Sequence, residues 1–221
     1  MRRISFSVNE YYHCYNRGVE KRKIFLSDKD CLRFTVLLYL CNTSKPIHLI
    51  NKNFKNLSEL FNLDNFDSLV SIGAWVLMPN HFHILLKEKR EDGISLFMQK
   101  LTTAYTMYFN KKNERTGSLF GGTFKAEHLD KDTYLKYIFA YMHLNPLKLI
   151  NPKWKELGLK NFNQANSFLV NYKWSSYLDY KGHIRPQNKI LDREAFPIYF
   201  QDIGDWDKEM GEWLTFPNSE V

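Results

Sequence analysis

Residues 73–87 read Gly-Ala-Trp-Val-Leu-Met-Pro-Asn-His-Phe-His-Ile-Leu-Leu-Lys. Two aliphatic runs flank the Pro79-Asn80 pair, and this pattern predicts two antiparallel strands joined by a tight turn. Proline presets φ at the first turn position, and asparagine tolerates the second. Because side chains alternate along a strand, His81 and His83 are predicted to share one face of the second strand.

Two imidazoles on one strand face can chelate one metal ion if a third ligand arrives from elsewhere in the chain. For an isolated His-x-His the simpler interpretation is a half-buried strand whose histidines face solvent. The pattern of the hairpin leaves both interpretations open, so the rest of the chain has to decide between them.

The composition is that of a folded globule. The 221 residues, 44% of them hydrophobic and 16% aromatic, suffice for one well-packed domain. Cys14, Cys31 and Cys41 have no CxxC spacing, which favours a reducing compartment. The sequence contains no run of 18 uncharged apolar residues and no signal-peptide core. We therefore expect a cytoplasmic protein with no membrane partner.

The net charge of +7 is unevenly distributed. Residues 192–221 hold eight acids and two basic residues, a balance of −6, which leaves +13 for residues 1–191. A body this basic attracts polyanions, with nucleic acid as the leading candidate and ordinary solubilising lysines as the alternative. We divide the chain into a domain of residues 1–185, with an irregular insertion at 42–70, and an acidic C-terminal extension of residues 186–221. Apolar residues in the extension predict that it packs on the domain, either to cover the core or to regulate access to DNA.

The remaining elements predict an α+β fold, a ferredoxin-like antiparallel sheet with helices packed on one face. The other face would carry the two histidines, and the third helix must lie near that face. The predicted elements are a strand at 10–17, a helix from Ser27 to about Cys41, a short helix near 58–62, the hairpin, a helix capped by Asp92 to about Asn110, an extended segment at 118–127 and a helix from Asp130 or Asp132 to Asn145.

The third predicted helix carries Tyr141 and Asn145 as an i, i+4 pair on one face, and Pro146 ends it. Pattern alone leaves ordinary roles open for both residues, a core aromatic and a helix-end residue before proline. His143 lies off this stripe and is assigned to the surface or to a substrate contact. His13, in the first strand, is expected to pack rather than to bind metal.

Four motifs occur in order: Met78 to Leu86 around the His-x-His pair, Tyr105 to Lys112 leading to Gly117 to Lys125, Tyr137 to Pro146, and Trp174 to Tyr177. Together they resemble the single-tyrosine HUH transposases, and among these the REP-associated tyrosine transposases. The similarity covers about residues 8–180. Residues 42–70 are longer than this connection usually is in the family, and the chain beyond about residue 185 matches no motif.

The resemblance implies a ferredoxin-like fold, a divalent metal ion, single-stranded DNA with hairpin ends, and a covalent 5′-phosphotyrosine intermediate. His81 and His83 match the paired metal ligands, Tyr141 matches the nucleophile, and Asn145 sits where the family places a third, amide-bearing ligand. Imidazoles and an amide oxygen, with open positions for phosphate and water, suit Mg²⁺ or Mn²⁺. A phosphotyrosine bond conserves the phosphodiester energy, so strands can be rejoined without a nucleotide cofactor.

We therefore predict a metal-dependent DNA strand transferase or nickase, a transposase that acts as a monomer or homodimer. The alternative is a domesticated, non-catalytic protein that binds single-stranded DNA hairpins. RNA binding through an RRM-like sheet is a third hypothesis, but the aromatic pattern it needs is not apparent. The candidate DNA-contacting residues are Arg17, Lys21, Arg22, Lys23, Lys111, Lys112, Arg115 and Lys125.

Overall fold

The computed structural model describes residues 5–46, 57–63, 67–158, 161–199 and 203–215. Within them, one antiparallel sheet has the strand order β2-β3-β1-β4. The strands are β1 (Tyr11–Arg17), β2 (Val70–Met78), β3 (His81–Glu88) and β4 (Lys125–His128). The α-helices are α1 (Asp28–Leu40), α2 (Gly93–Lys112), α3 (Asp132–Leu144), α4 (Trp154–Leu157), α5 (Phe162–Asn171), α6 (Tyr177–Tyr180) and α7 (Ile203–Thr215). This order confirms the predicted ferredoxin-like α+β fold.

Short 3-10 helices connect several of these elements. They span Val19–Lys21, Leu57–Asn62, Asn145–Leu149, Pro186–Ile190 and Arg193–Ala195. Parts of the 42–70 insertion and of the acidic extension, residues 47–56, 64–66, 200–202 and 216–221, lie outside the described residues.

The predicted hairpin sets the register of the sheet. Met78 of β2 pairs with His81 of β3 across the turn, and β1 then pairs with the other edge of β3. The register of β2 shifts between Ile72 and Ala74. At the intervening Gly73, an added Cβ would lie 2.7 Å from the Phe196 ring. Glycine is therefore required there for the C-terminal segment to approach the sheet.

The two faces of the sheet bury separate cores, because side chains alternate along each strand. On one face, Phe82 and Ile84 of β3 pack with α1 and α2. On the other, Leu85 packs with α3 and the C-terminal segments. We call the second face the histidine face, because His81 and His83 share it with Leu85. The third helix thus lies on the predicted side.

Two helix starts are capped differently from the prediction. Ser27 does precede α1, but its hydroxyl lies 3.1 Å from Asp30 Oδ2 and caps no backbone N–H group. Asp92, expected to cap α2, has a left-handed φ of 58° and makes no cap bond. Glu88, at the end of β3, accepts from the Ile94 N–H at 2.7 Å instead. The prediction for Asp92 is wrong because a residue distant from the helix start supplies the acceptor.

The C-terminal third of the chain covers the edge of β2 and the histidine-face core. The backbone N–H of Leu77 donates to the Trp174 carbonyl at 2.9 Å, and that of Ser176 donates to the Trp75 carbonyl at 2.9 Å. In α7, Trp206 is buried. Among the described helices, none combines the length and apolarity needed to span a bilayer.

Candidate active site

Tyr141 is presented by α3 to the histidines of the sheet. The centroid of its ring lies 5.7 Å from that of His83 and 6.4 Å from that of His13. Burial raises the pKa of the Tyr141 phenol, the Asn145 side chain lowers it, and Glu127 raises it, with a net upward shift. A phenol of this kind needs positive charge nearby before it can act as a nucleophile.

The rings of His81 and His83 have centroids 5.0 Å apart and are nearly perpendicular. Asn80 orients the first ring: its Nδ2 donates to the Lys21 carbonyl at 3.1 Å, which leaves its Oδ1 to accept from His81 Nδ1 at 2.6 Å. The proton of His81 therefore sits on Nδ1, and Nε2 has a free lone pair. Burial, assisted by nearby cations, lowers the pKa of His81 to about 4. The imidazole is thus neutral, as a metal ligand must be.

His83 is oriented by a second histidine. Its Nδ1 lies 2.8 Å from His13 Nε2, and His13 Nδ1 lies 3.5 Å from the Glu127 carboxylate. Glu127 also accepts from the hydroxyls of Tyr15 and Tyr134 at 3.0 and 3.1 Å. A carboxylate at the end of this series favours the His13 proton on Nδ1 and the His83 proton on Nδ1.

This arrangement leaves Nε2 of His83 as a buried lone pair without a hydrogen-bond partner in the described part of the chain. The interaction with His13, followed by hydrogen bonds from tyrosines, holds the pKa of Glu127 at about 2 although burial opposes the shift. Glu127 is therefore a carboxylate at neutral pH. We call His13 and Glu127 the His13–Glu127 relay.

Asn145 keeps helical backbone angles (φ −54°, ψ −37°) although α3 ends at Leu144. It therefore stays one turn from Tyr141, as the i, i+4 spacing predicts. Its side chain is fully buried, and neither Oδ1 nor Nδ2 makes a hydrogen bond of normal geometry among the described residues, although Tyr141 lies near enough for the Asn145 side chain to lower its pKa. An unpaired buried amide costs about 1–3 kcal/mol. A buried group of this kind needs an explanation, and a ligand for the amide is one.

The donor set fits a divalent cation. Nε2 of His81, Nε2 of His83 and Oδ1 of Asn145 each offer a lone pair, and water or phosphate oxygens would complete the coordination. In the described residues, no group of three or more His, Cys, Asp or Glu side chains has a metal-binding arrangement. The site therefore lacks the closed Cys and His ligand set of structural zinc.

Two of the predicted DNA-contacting residues lie on the histidine face. Arg17 pairs with His81 across the sheet, and Lys125 pairs with Tyr15, which itself pairs with His83. Paired residues share a face, so both exposed cations project on the side of the candidate site. Lys21, Arg22 and Lys23 lie in the loop that contacts the hairpin turn through the Lys21 carbonyl.

The cations at the end of α2 and just after it have a different setting, because α2 packs on the opposite face of the sheet. Lys111 is exposed. Lys112 binds the buried Asp30 carboxylate at 2.6 Å. Arg115 donates to the Ser118 carbonyl at 3.0 Å. The side chains of Lys112 and Arg115 are therefore engaged in contacts that stabilise the fold. Their assignment to DNA contact stays a prediction without structural support.

His143, expected at the surface or against substrate, is completely buried, so this expectation is wrong. Its Nδ1 donates to the Phe139 carbonyl at 2.8 Å, and Nε2 therefore accepts from Ser176 Oγ at 2.7 Å. Ser176 Oγ accepts in turn from the Trp75 N–H at 3.0 Å. Burial lowers the pKa of His143 to about 3, which keeps it neutral. The residue tethers α3 to β2, because it projects from the inward side of the helix.

Sequence reasoning missed four residues that contact this site: His13, Glu127, Lys148 and Lys155. His13 was expected only to pack, and its contact with His83 depends on strand pairing across 70 residues. Lys148 follows Tyr141 by seven residues, but α3 ends at Leu144 between them, so helical spacing did not predict the contact. No sequence signal marks Lys155 either.

The chain is similar to known transposases in sequence over its central part and in fold over most of its length. The family profile described as "Transposase IS200 like" matches residues 39–145, from the end of α1 to Asn145. A solved structure described as the REP-associated tyrosine transposase bound to a REP hairpin covers 92% of this chain and 92% of its own, with a TM-score of 0.51 and 14% identity. At this identity the likeness shows the fold. No curated protein sequence gave a match.

Proposed function

Because the chain belongs to the IS200-like transposase family through residues 39–145, we propose that it cleaves and rejoins single-stranded DNA near hairpin ends through a 5′-phosphotyrosine intermediate. The observation that carries this proposal is that Tyr141 contacts both His83 and the buried amide of Asn145. The structural neighbour is described as bound to a REP hairpin, and we assign the same class of DNA partner, a palindromic hairpin, to this chain. Three free, buried cysteines support a cytoplasmic location.

In the proposed reaction, Tyr141 Oη attacks the scissile phosphorus. The bond from phosphorus to the 3′ oxygen breaks, and this oxygen takes up a proton as the phenol loses one. One phosphoester replaces another, so the reverse attack by a 3′-OH rejoins DNA. His81, His83 and Asn145 would hold Mg²⁺ or Mn²⁺, whose chemistry when bound is to polarise the phosphate. The exposed cations Arg17 and Lys125 are suited to bind the flanking phosphates.

The test uses a pool of labelled single-stranded oligonucleotides that carry a hairpin with randomised flanks. Incubation with Mn²⁺ should give a covalent adduct on a denaturing gel, and EDTA should prevent it. Tyr141→Phe should abolish the adduct and leave hairpin affinity within about twofold, because only the attacking oxygen is removed.

Tyr137→Phe is the matched control, since the Tyr137 ring stacks on that of Tyr141 at 6.2 Å on the same helix. It should keep the adduct. An adduct that survives in Tyr141→Phe, or that forms fully in EDTA, contradicts the assignment. Hairpin binding by the wild type without any adduct would favour the non-catalytic alternative.

A further inference from the structure

The chain after α3 turns back toward Tyr141. Pro146 and Leu147, in the 3-10 helix Asn145–Leu149, are buried and fix the direction in which Lys148 leaves the backbone. Trp154 is buried in the histidine-face core and anchors α4, which carries Lys155. Two lysines that lie beyond the end of α3 are thereby held beside the Tyr141 ring.

The two ammonium groups contact different parts of the phenol. Lys148 Nζ lies 3.5 Å from Tyr141 Oη. Lys155 Nζ lies 3.7 Å from the centroid of the Tyr141 ring and 3.3 Å from the Tyr137 hydroxyl. A cation over a ring face at this distance forms a cation–π contact. One lysine therefore faces the reacting oxygen, and the other holds the ring.

Neither lysine forms an ion pair with a carboxylate in the described ranges, where other cations such as Lys112 and Lys136 do. Burial lowers the pKa of Lys148, and burial together with the Lys148 charge lowers the pKa of Lys155 to about 8. Two half-buried cations side by side repel each other and are costly to keep without an anion. A negative charge that arises during the reaction, on the phenol oxygen, would compensate them.

From this geometry we propose that Lys148 is a further catalytic residue, whose ammonium group stabilises the Tyr141 phenolate as it attacks in cleavage and as it leaves in rejoining, and that Lys155 is a positioning residue. This inference rests on the proposed role of Tyr141. In cleavage, the phenol proton passes to water, and the charge that develops on Oη faces the Lys148 ammonium. In rejoining, which is the reverse of this step, a 3′-OH attacks phosphorus and gives its proton to water. Tyr141 Oη leaves as a phenolate beside the Lys148 ammonium and then takes up a proton from water.

The rival role for Lys148 is a plain contact with a DNA phosphate. The two roles differ in what they change. A phosphate contact alters affinity and reduces its salt dependence by about 0.7 on a logarithmic scale for single strands. A contact with the phenol oxygen alters the rate and its pH dependence at saturating DNA.

The experiment compares Lys148→Met, Lys148→Arg and Lys153→Met in single-turnover adduct formation at saturating hairpin oligonucleotide with Mn²⁺. Lys153 is exposed and provides the matched control. Lys148→Met should slow adduct formation about 100-fold, as expected for loss of a charge that stabilises the transition state. It should also move the rate–pH profile to higher pH, while hairpin affinity stays within about twofold.

Lys148→Arg tests whether the positive charge is what matters. Arginine keeps the positive charge but does not release a proton at ordinary pH. It should therefore restore most of the cleavage rate and most of the rejoining rate, the latter measured from isolated adduct and an added 3′-OH strand. Lys155→Met should slow cleavage without moving the pH profile, because it changes ring placement and leaves the charge at Oη.

A direct titration needs no turnover. In Mg²⁺-saturated protein labelled with [¹³Cζ]tyrosine, the signal that Tyr141→Phe removes should titrate at higher pH in Lys148→Met than in the wild type. An unchanged titration, or a variant with normal rate and pH profile, overturns the inference. A change confined to affinity and salt slope also overturns it, in favour of a phosphate contact. A wild type that forms no adduct at Tyr141 contradicts the proposed function instead, and the titration then still tests the Lys148 contact.

Discussion

Replacing Asn145 by leucine is expected to stabilise the metal-free protein while it removes a candidate metal ligand. The Asn145 amide is fully buried, and neither of its polar atoms has a hydrogen-bond partner in the described residues. Leucine has a similar shape and no polar atom to desolvate. Relief of an unpaired buried amide is worth about 1–3 kcal/mol in the free energy of unfolding. In a domain of this size that corresponds to a rise in melting temperature of about 2–12 °C.

The assay is thermal unfolding followed by circular dichroism in EDTA, with Mn²⁺ affinity measured by calorimetry on the same samples. Asn42→Leu is the matched control, because Asn42 is also buried but its amide is fully used. It donates to the Val70 carbonyl at 2.9 Å and accepts from the Leu69 and Val70 N–H groups at 2.9 and 3.0 Å. Asn42→Leu should lower the melting temperature, since it leaves backbone groups unpaired.

A melting temperature of Asn145→Leu below that of the wild type in EDTA would refute the reasoning, because it would mean that the amide stabilises the fold. An Mn²⁺ affinity equal to that of the wild type would separately remove Asn145 from the ligand set. Both measurements are independent of DNA cleavage. They therefore test the candidate metal site without reference to the proposed reaction.

Two further predictions concern contacts away from the reacting atoms. His13→Leu removes the acceptor for the His83 Nδ1–H. The Mn²⁺ affinity measured by calorimetry should fall about 10–100-fold, as when the hydrogen-bond partner of a metal-binding histidine is removed. An unchanged affinity would contradict the His13–Glu127 relay. Lys112→Met removes a partner of Asp30, which should cost about 2 kcal/mol in urea denaturation at neutral pH. Burial raises the pKa of Asp30, but the hydrogen bonds to its carboxylate, that of Lys112 first, lower it by more, so the net shift of the pKa is downward. The stability from this pair is present at neutral pH and is lost as the pH falls through the lowered pKa of Asp30. The loss in free energy of unfolding caused by Lys112→Met should therefore become smaller in acid. A loss that does not depend on pH would argue against the pair.

The sequence alone was sufficient for the hairpin, the fold class and the face of the sheet on which the third helix lies. These follow from local periodicity: the alternation around Pro79-Asn80 defines two strands, and the i, i+4 spacing of Tyr141 and Asn145 survives because Asn145 keeps helical angles. The order of the elements then leaves few ways to cover both sheet faces. The resemblance to a transposase family rested on the same segments, and the family profile matches most of them.

Tertiary structure alone decided which polar groups meet and which are left without a partner. His13 reaches His83 only through the register of β1 on β3, and His143 is buried because it projects from the inward side of α3. The packing of the segments after α3 buries the Asn145 amide without a hydrogen bond from the described residues. The same packing brings Lys148 next to the Tyr141 hydroxyl. Secondary-structure propensity depends on residues within one or two turns of each other. Burial, hydrogen-bond partners and the electrostatic potential at a side chain depend on neighbours that only folding brings together.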